Sequence, residues 1–186
     1  MTSLAVTKES IAVIFLDIDG VLMPLNSPGN KELYKQGQKL FNKYADFSEM
    51  EVATIKAHFF STDALKNLDA LIRKVQNLMP VRIVISSAWR LGFTVEQLQN
   101  IFSLHSFSKL IIDKTLQGLT RGFEIHSWLQ KHRAIERYVI LDDNDHGISD
   151  IYSDHFVQIS HLLSEPESKF AYDILMREAY FANLCK

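Results

Sequence analysis

The stretch "IAVIFLDIDGVL", residues 11–22, limits what the chain can fold into more than any other. Ile11 to Leu16 is apolar throughout, with no polar alternation. A strand with that pattern is buried on both faces, as in the middle of a parallel sheet. The run ends on Asp17, a second carboxylate follows at Asp19, and Gly20 comes next. Asp and Gly are ordinary turn residues, but a turn needs only one of them. The crevice at the carboxyl ends of the strands is where open α/β sheets bind ligands. Two carboxylates placed there repel, and the pKa of at least one rises unless a cation lies between them.

The other apolar runs fit the same architecture. Strands are expected at 81–86 ("VRIVIS"), 109–113 ("KLIID"), 137–141 ("RYVIL") and, shorter, 155–159. Between them lie helical patterns. Ser61 reads as an N-cap, after which Leu65, Leu68, Leu71, Ile72, Val75 and Leu78 follow helical spacing until Pro80. Further helices are expected over 94–102 and over 123–131, the latter capped by Thr120. The last opens at Ser164 with a capping box to Glu167, carries Pro166 in its first turn, and runs to about residue 182. Strands alternating with helices predict an α/β, Rossmann-like three-layer sandwich with a parallel five-stranded sheet. A chain of 186 residues, 47% hydrophobic, suits one domain over 1–186. The segment 26–60 opens with the loop "NSPGN" and continues polar with scattered aromatics. It reads as a small lid-like insertion, too short for an independent fold.

The second and fourth strands repeat the design of the first. Ser86 and Ser87 follow "VRIVI", with Arg90 just beyond, and Asp142 and Asp143 follow "RYVIL". Carboxylate oxygens are the hard ligands that Mg²⁺ prefers. Hydroxyls and backbone amides at strand ends donate to phosphate oxygens. Arg121 opens the helix before the fourth strand, where a cation meets an anion beside a helix N-terminus. Ser86 is preferred to Ser87 because it directly follows the apolar run. Lys131 competes with Arg121 but lies late in its helix, where lysine is solvated and favours the dipole. Arg90 has two readings, a contact to substrate phosphate or a cap or surface residue. Asp145, Asp150 and His146 read as loop residues, and Trp89 and Trp128 as core.

Taken in order, "DIDGV" at 17–21, Ser86, Arg121 and "LDD" at 141–143 resemble the four motifs of the haloacid dehalogenase (HAD) superfamily of phosphatases. "SSAWR" and "RGFEIHSWL" look like the branch found in RNA-repair-associated HAD domains, of capless or minimal-cap type. The resemblance implies strand order 5-4-1-2-3. It implies Asp17 as nucleophile, giving an aspartyl-phosphate, and Asp19 as general acid and then base. Ser86 and Arg121 would hold the transferring phosphoryl oxygens, with Gly20, Ser87 and Arg90 as further substrate contacts. Mg²⁺ would be held by Asp17, the backbone carbonyl of Asp19 and Asp142, with Asp143 assisting. An aspartate two positions after the nucleophile fits a phosphatase or phosphotransferase.

Composition narrows the partners. Lys+Arg number 20 against 22 Asp+Glu, a net charge of −2, so no basic track for a polynucleotide is advertised. With an open crevice beneath a short insertion, this favours a phosphorylated macromolecule, a phosphoprotein with phosphotyrosine ahead of nucleic acid. A polynucleotide or nucleotide phosphatase is the alternative. A non-catalytic phosphoprotein-binding scaffold comes next, disfavoured because Asp17 and Asp142 are both present. A mutase would need a larger cap to exclude water. No stretch is long and apolar enough to span a bilayer, and residues 2–10 lack a signal-peptide pattern. The single cysteine, Cys185, forms no disulfide within the chain. These features set a cytoplasmic expectation that leaves signal-independent export open.

Overall fold

A computed structural model describes residues 11–24 and 60–184, with side chains as far as Arg177. Five strands form one sheet: β1 Ala12–Leu16, β2 Val81–Ile85, β3 Ile111–Lys114, β4 Arg137–Asp142 and β5 Phe156–Gln158. Their order across the sheet is β3-β2-β1-β4-β5, the expected 5-4-1-2-3 seen from the other edge. All pairings are parallel, and β1 lies at the centre between β2 and β4. Every β1 residue is buried, as its unbroken apolar run requires.

The helices are α1 Thr62–Gln76, α2 Val95–Ile101, α3 Arg121–Lys131, the single turn α4 Ser149–Tyr152, and α5 Glu165–Leu184. Strand parity divides the core between the two faces. Ala12, Ile14, Leu16, Ile83, Ile85, Val139 and Leu141 face the larger core, shared with α1, α2 and α5. Val13, Phe15, Val84 and Ile140 face the smaller one, closed by Ile125 and Trp128 of α3. Trp128 stands edge-on to Phe15, with ring centroids 5.3 Å apart.

Local chemistry sets the helix ends. The Ser61 hydroxyl accepts from Ala64 N at α1, and the Thr94 capping box closes on Gln97 at α2. At α5, Ser164 N and Oγ both donate to Glu167 Oε2, at 2.8 and 2.6 Å. Several expected boundaries shift. α1 stops at Gln76, so Leu78 lies beyond it and is exposed instead of packing. β3 starts two residues later than expected because Ser108–Leu110 forms a 3-10 turn. Thr120 does cap α3, yet the helix begins at Arg121, two residues early. Gly122, a poor helix former, hides that start in the sequence. It is needed there because a Cβ would run into the Gly147 backbone, with the carbonyl carbon 2.7 Å away.

The expected insertion at 26–60 lies outside the described residues apart from Phe60. Phe60 belongs to the core and packs against Trp89 and Phe102. Ser61 N donates to Leu22 O at 2.9 Å, so the chain returns to the sheet beside the point where it leaves. Among the described residues no helix is long and apolar enough to cross a membrane.

Candidate active site

The parity that buries Val13, Phe15, Val84 and Ile140 beneath α3 also places the polar residues that follow them. Leu16 pairs with Ile85 on one side and Leu141 on the other. The ladder runs one step further, with Asp17 N donating to Leu141 O at 2.9 Å and Ser86 N to Leu16 O at 3.0 Å. Asp17, Ser86 and Asp142 therefore share one rung across the three central strands. All three side chains lie on the face that α3 covers. Asp17 and Asp142 are buried.

Arg121, the first residue of α3, reaches back over this rung. Its Nη1 donates to Asp17 Oδ1 at 3.0 Å and to Asp142 Oδ2 at 2.6 Å. Lys131 is exposed at the other end of the same helix, about 15 Å away at 1.5 Å per residue. Of the two cations weighed in the sequence, only Arg121 meets the carboxylates.

Asp143 completes the acidic group. Asp17, Asp142 and Asp143 each bring a carboxylate oxygen within 4.8 Å of the others. Gly20 makes room for this. It adopts φ +76°, and a Cβ there would sit 2.5 Å from Asp143 Cγ. The Gly20 amide donates to Met23 O at 2.7 Å.

Asp19 does not join the carboxylate group with its side chain. Its Oδ2 accepts from Trp89 Nε1 at 3.0 Å, and its buried Oδ1 has no partner among the described residues. Trp89, expected as core alone, is a partner of the acid–base candidate. Trp128 is core as expected, with Nε1 donating to Asp113 at 2.7 Å. The two serines differ. Among the described residues the Ser86 Oγ is buried without a partner, whereas the Ser87 Oγ accepts from Trp89 N and is tied to Asp17. Ser86 thus has the hydroxyl left for a ligand.

Arg90 is not a surface residue. It is 7% exposed, with Nη1 donating to the carbonyls of Ser86 and Ser87 at 3.0 and 2.8 Å and Nη2 to Glu124 at 2.6 Å. Glu124, which sequence reasoning did not single out, is buried in the first turn of α3. Its Oε1 accepts from Gly118 N at 2.8 Å. The signal was available, since Glu124 lies on the helix face of Ile125 and Trp128. An acid on the buried face of a helix demands a buried partner. The loop acids stay outside the site. Asp145 accepts from Ser149 N and Oγ at the start of α4, and Asp150 is exposed. His146 is exposed but lines the mouth beside Arg121, with φ +46°.

Electrostatics follow from crowding four carboxylates at the ends of the central strands. Burial raises the Asp17 carboxyl, opposed by Arg121. Burial, and then the Asp17 charge, lift Asp19 to about 6 and Asp142 to about 7. Asp143 is also raised by desolvation. A divalent cation would relieve this repulsion, and the donors present, all hard carboxylate oxygens in a cradle that Gly20 keeps open, fit Mg²⁺.

A family model described as the HAD domain in Swiss Army Knife RNA repair proteins matches residues 13–166. No curated protein matches the chain. The match covers the whole rung, from Asp17 to Asp142, with Asp143 beside it and all of the sheet but Ala12. The chain therefore belongs to the HAD superfamily, as a domain of the kind found in those repair proteins.

Proposed function

We propose that this domain is a Mg²⁺-dependent phosphomonoesterase acting through an aspartyl-phosphate on Asp17, and that its substrate is the phosphorylated end of an RNA strand. The observation that carries the reaction is the shared rung, with two carboxylates beneath one arginine, one of them the nucleophile candidate, and a hydroxyl that has no partner among the described residues. A bound phosphoryl group would lie between Asp17, Ser86 and Arg121. Asp17 attacks phosphorus and the bond to the leaving oxygen breaks. Asp19 supplies the proton to that oxygen. Water then attacks the phosphorus of the acyl phosphate, Asp19 takes its proton, and Asp17 is released with inorganic phosphate. Asp17, the Asp19 carbonyl, Asp142 and Asp143 would hold the metal, which supplies charge neutralisation and Lewis-acid polarisation of phosphoryl oxygens. Ser86 and Arg121 would orient those oxygens throughout.

The substrate reading departs from the phosphoprotein expected on charge balance. It rests on the family description, which ties the matched domain to RNA repair proteins. A net charge of −2 weighs against tracking a long backbone but not against gripping a single terminal phosphate. The test compares kcat/KM on 3′- and 5′-phosphorylated oligoribonucleotides with phosphotyrosine and phosphoserine peptides at fixed salt, with Mg²⁺ and after chelation. We expect oligonucleotide preference and loss of turnover in EDTA. Preference for a peptide would restore the phosphoprotein reading, and chelation-resistant turnover would overturn the metal assignment.

A further inference from the structure

We propose that Glu124 is a positioning residue for the reaction, locking the backbone that presents Ser86 and the guanidinium of Arg121 into one unit through buried Arg90. The proposal rests on the phosphatase reading above. Glu124 Oε2 lies 2.6 Å from Arg90 Nη2 and 3.9 Å from Arg121 Nε, so one carboxylate stands between two guanidinium groups. Arg90 holds the carbonyls of Ser86 and Ser87 with its other terminal nitrogen. Arg121 turns its Nη1 the opposite way, onto Asp17 and Asp142. Arg121 is thus flanked by anions on two edges, which fixes the plane in which it can offer hydrogen bonds to a phosphoryl group. Arg90, Arg121 and Glu124 also share the wall of one open cavity of about 230 Å³.

A buried ion pair serving stability alone can be exchanged for apolar residues of similar volume. Here the side chains of Arg90 and Glu124 are 7% and 5% exposed, and their bonds run to the two elements that hold candidate phosphoryl ligands. The grip on the Ser86 and Ser87 carbonyls and the placement against Arg121 go beyond the ion pair itself and tie it to the residues of the rung. Electrostatic catalysis needs both, since a donor misplaced in a dry site loses most of its effect on the transition state.

Three variants separate positioning from stability. Glu124→Gln keeps the shape and an acceptor for Gly118 but removes the charge between the arginines. With p-nitrophenyl phosphate and Mg²⁺, kcat should fall about 10- to 100-fold while KM stays within about threefold. Combined with Arg121→Ala, Glu124→Gln should add less than its full loss in the wild type, the remainder being the part carried through Arg90 and the Ser86 backbone. Should Glu124→Gln fold poorly, Arg90→Met with Glu124→Leu removes both charges together, and it should fold yet lose kcat to a similar extent. Guanidinium ¹⁵N signals of Arg121, assigned with Arg121→Lys, give a readout that needs no turnover. Rotation about its Cζ–Nε bond should be hindered in the wild type and freer in both charge-removing variants. Normal kcat in the apolar pair, losses that multiply with Arg121→Ala, or unchanged Arg121 signals would each overturn the proposal. A wild type that turns over no phosphomonoester would instead refute the phosphatase reading, with the Arg121 signals still deciding the role of Glu124.

Discussion

Asp19 is a carboxylate that the fold would hold more easily without its charge. Burial first, and the nearby Asp17 charge second, raise it from 3.8 to about 6. The folded state therefore keeps a proton that the unfolded chain releases near pH 4. The stability linked to this group is fully present below pH 4, declines as pH rises, and is gone above about pH 6. A shift of about two units corresponds to about 3 kcal/mol at 1.36 kcal/mol per unit. Asp19→Asn removes the charge and keeps an oxygen for Trp89 Nε1. Its NH₂, however, would occupy the place of Oδ1, which has no partner among the described residues, and this offsets about 1 kcal/mol. The variant should gain about 2 kcal/mol at pH 8 in EDTA, a rise in Tm of roughly 4–8 °C for a chain of this size. At pH 4 the gain should vanish or reverse slightly. Turnover should fall by about 10² to 10⁴, least with a good leaving group, because the acid–base group is lost. Thermal melts of wild type and variant at both pH values, with steady-state rates alongside, make the test. A difference in Tm that is the same at pH 4 and pH 8, or a variant less stable at pH 8, would refute the reasoning.

Arg121→Ala should lose about 3 kcal/mol of transition-state stabilisation, seen as roughly a hundredfold fall in kcat/KM, while Lys131→Ala at the exposed end of α3 should change it less than twofold. Gly20→Ala forces a Cβ onto Asp143 at a positive φ, so chemical denaturation should show a loss of about 1–3 kcal/mol and calorimetry at least tenfold weaker Mg²⁺ binding. Trp89→Phe keeps the ring packing on Phe60 but removes the donor to Asp19, and should lower kcat several-fold at unchanged KM with a native circular dichroism spectrum.

Most of the rung was legible because it lies at the ends of apolar runs. A strand buried on both faces declares its own boundary, and Asp17, Ser86 and Asp142 each follow such a run. Arg121 was legible from Thr120, whose capping character marks where α3 begins. What the sequence concealed depends on contacts between distant segments. Glu124 shares a helix face with Ile125 and Trp128, which marks it as buried but does not say with which partner. Its partner Arg90 is separated from it by 34 positions. Trp89 looks like core because its ring does pack on Phe60 and Phe93, and nothing local says that its Nε1 meets a carboxylate 70 positions away. The fitness of Gly122 in the first turn of α3 comes from the Gly147 backbone packed against it and not from propensity.

The central claim is that Asp17 carries the phosphoryl group during turnover. It is tested most directly by acid-quenching Asp19→Asn protein while it turns over a terminally phosphorylated oligoribonucleotide with Mg²⁺. Peptide mass spectrometry then locates any phosphoryl adduct. This variant should form the acyl phosphate slowly and hydrolyse it more slowly still, so the adduct should accumulate on the peptide containing Asp17 and be absent from Asp17→Asn. Continued turnover with no adduct on Asp17, or with the adduct on another residue, would contradict the mechanism.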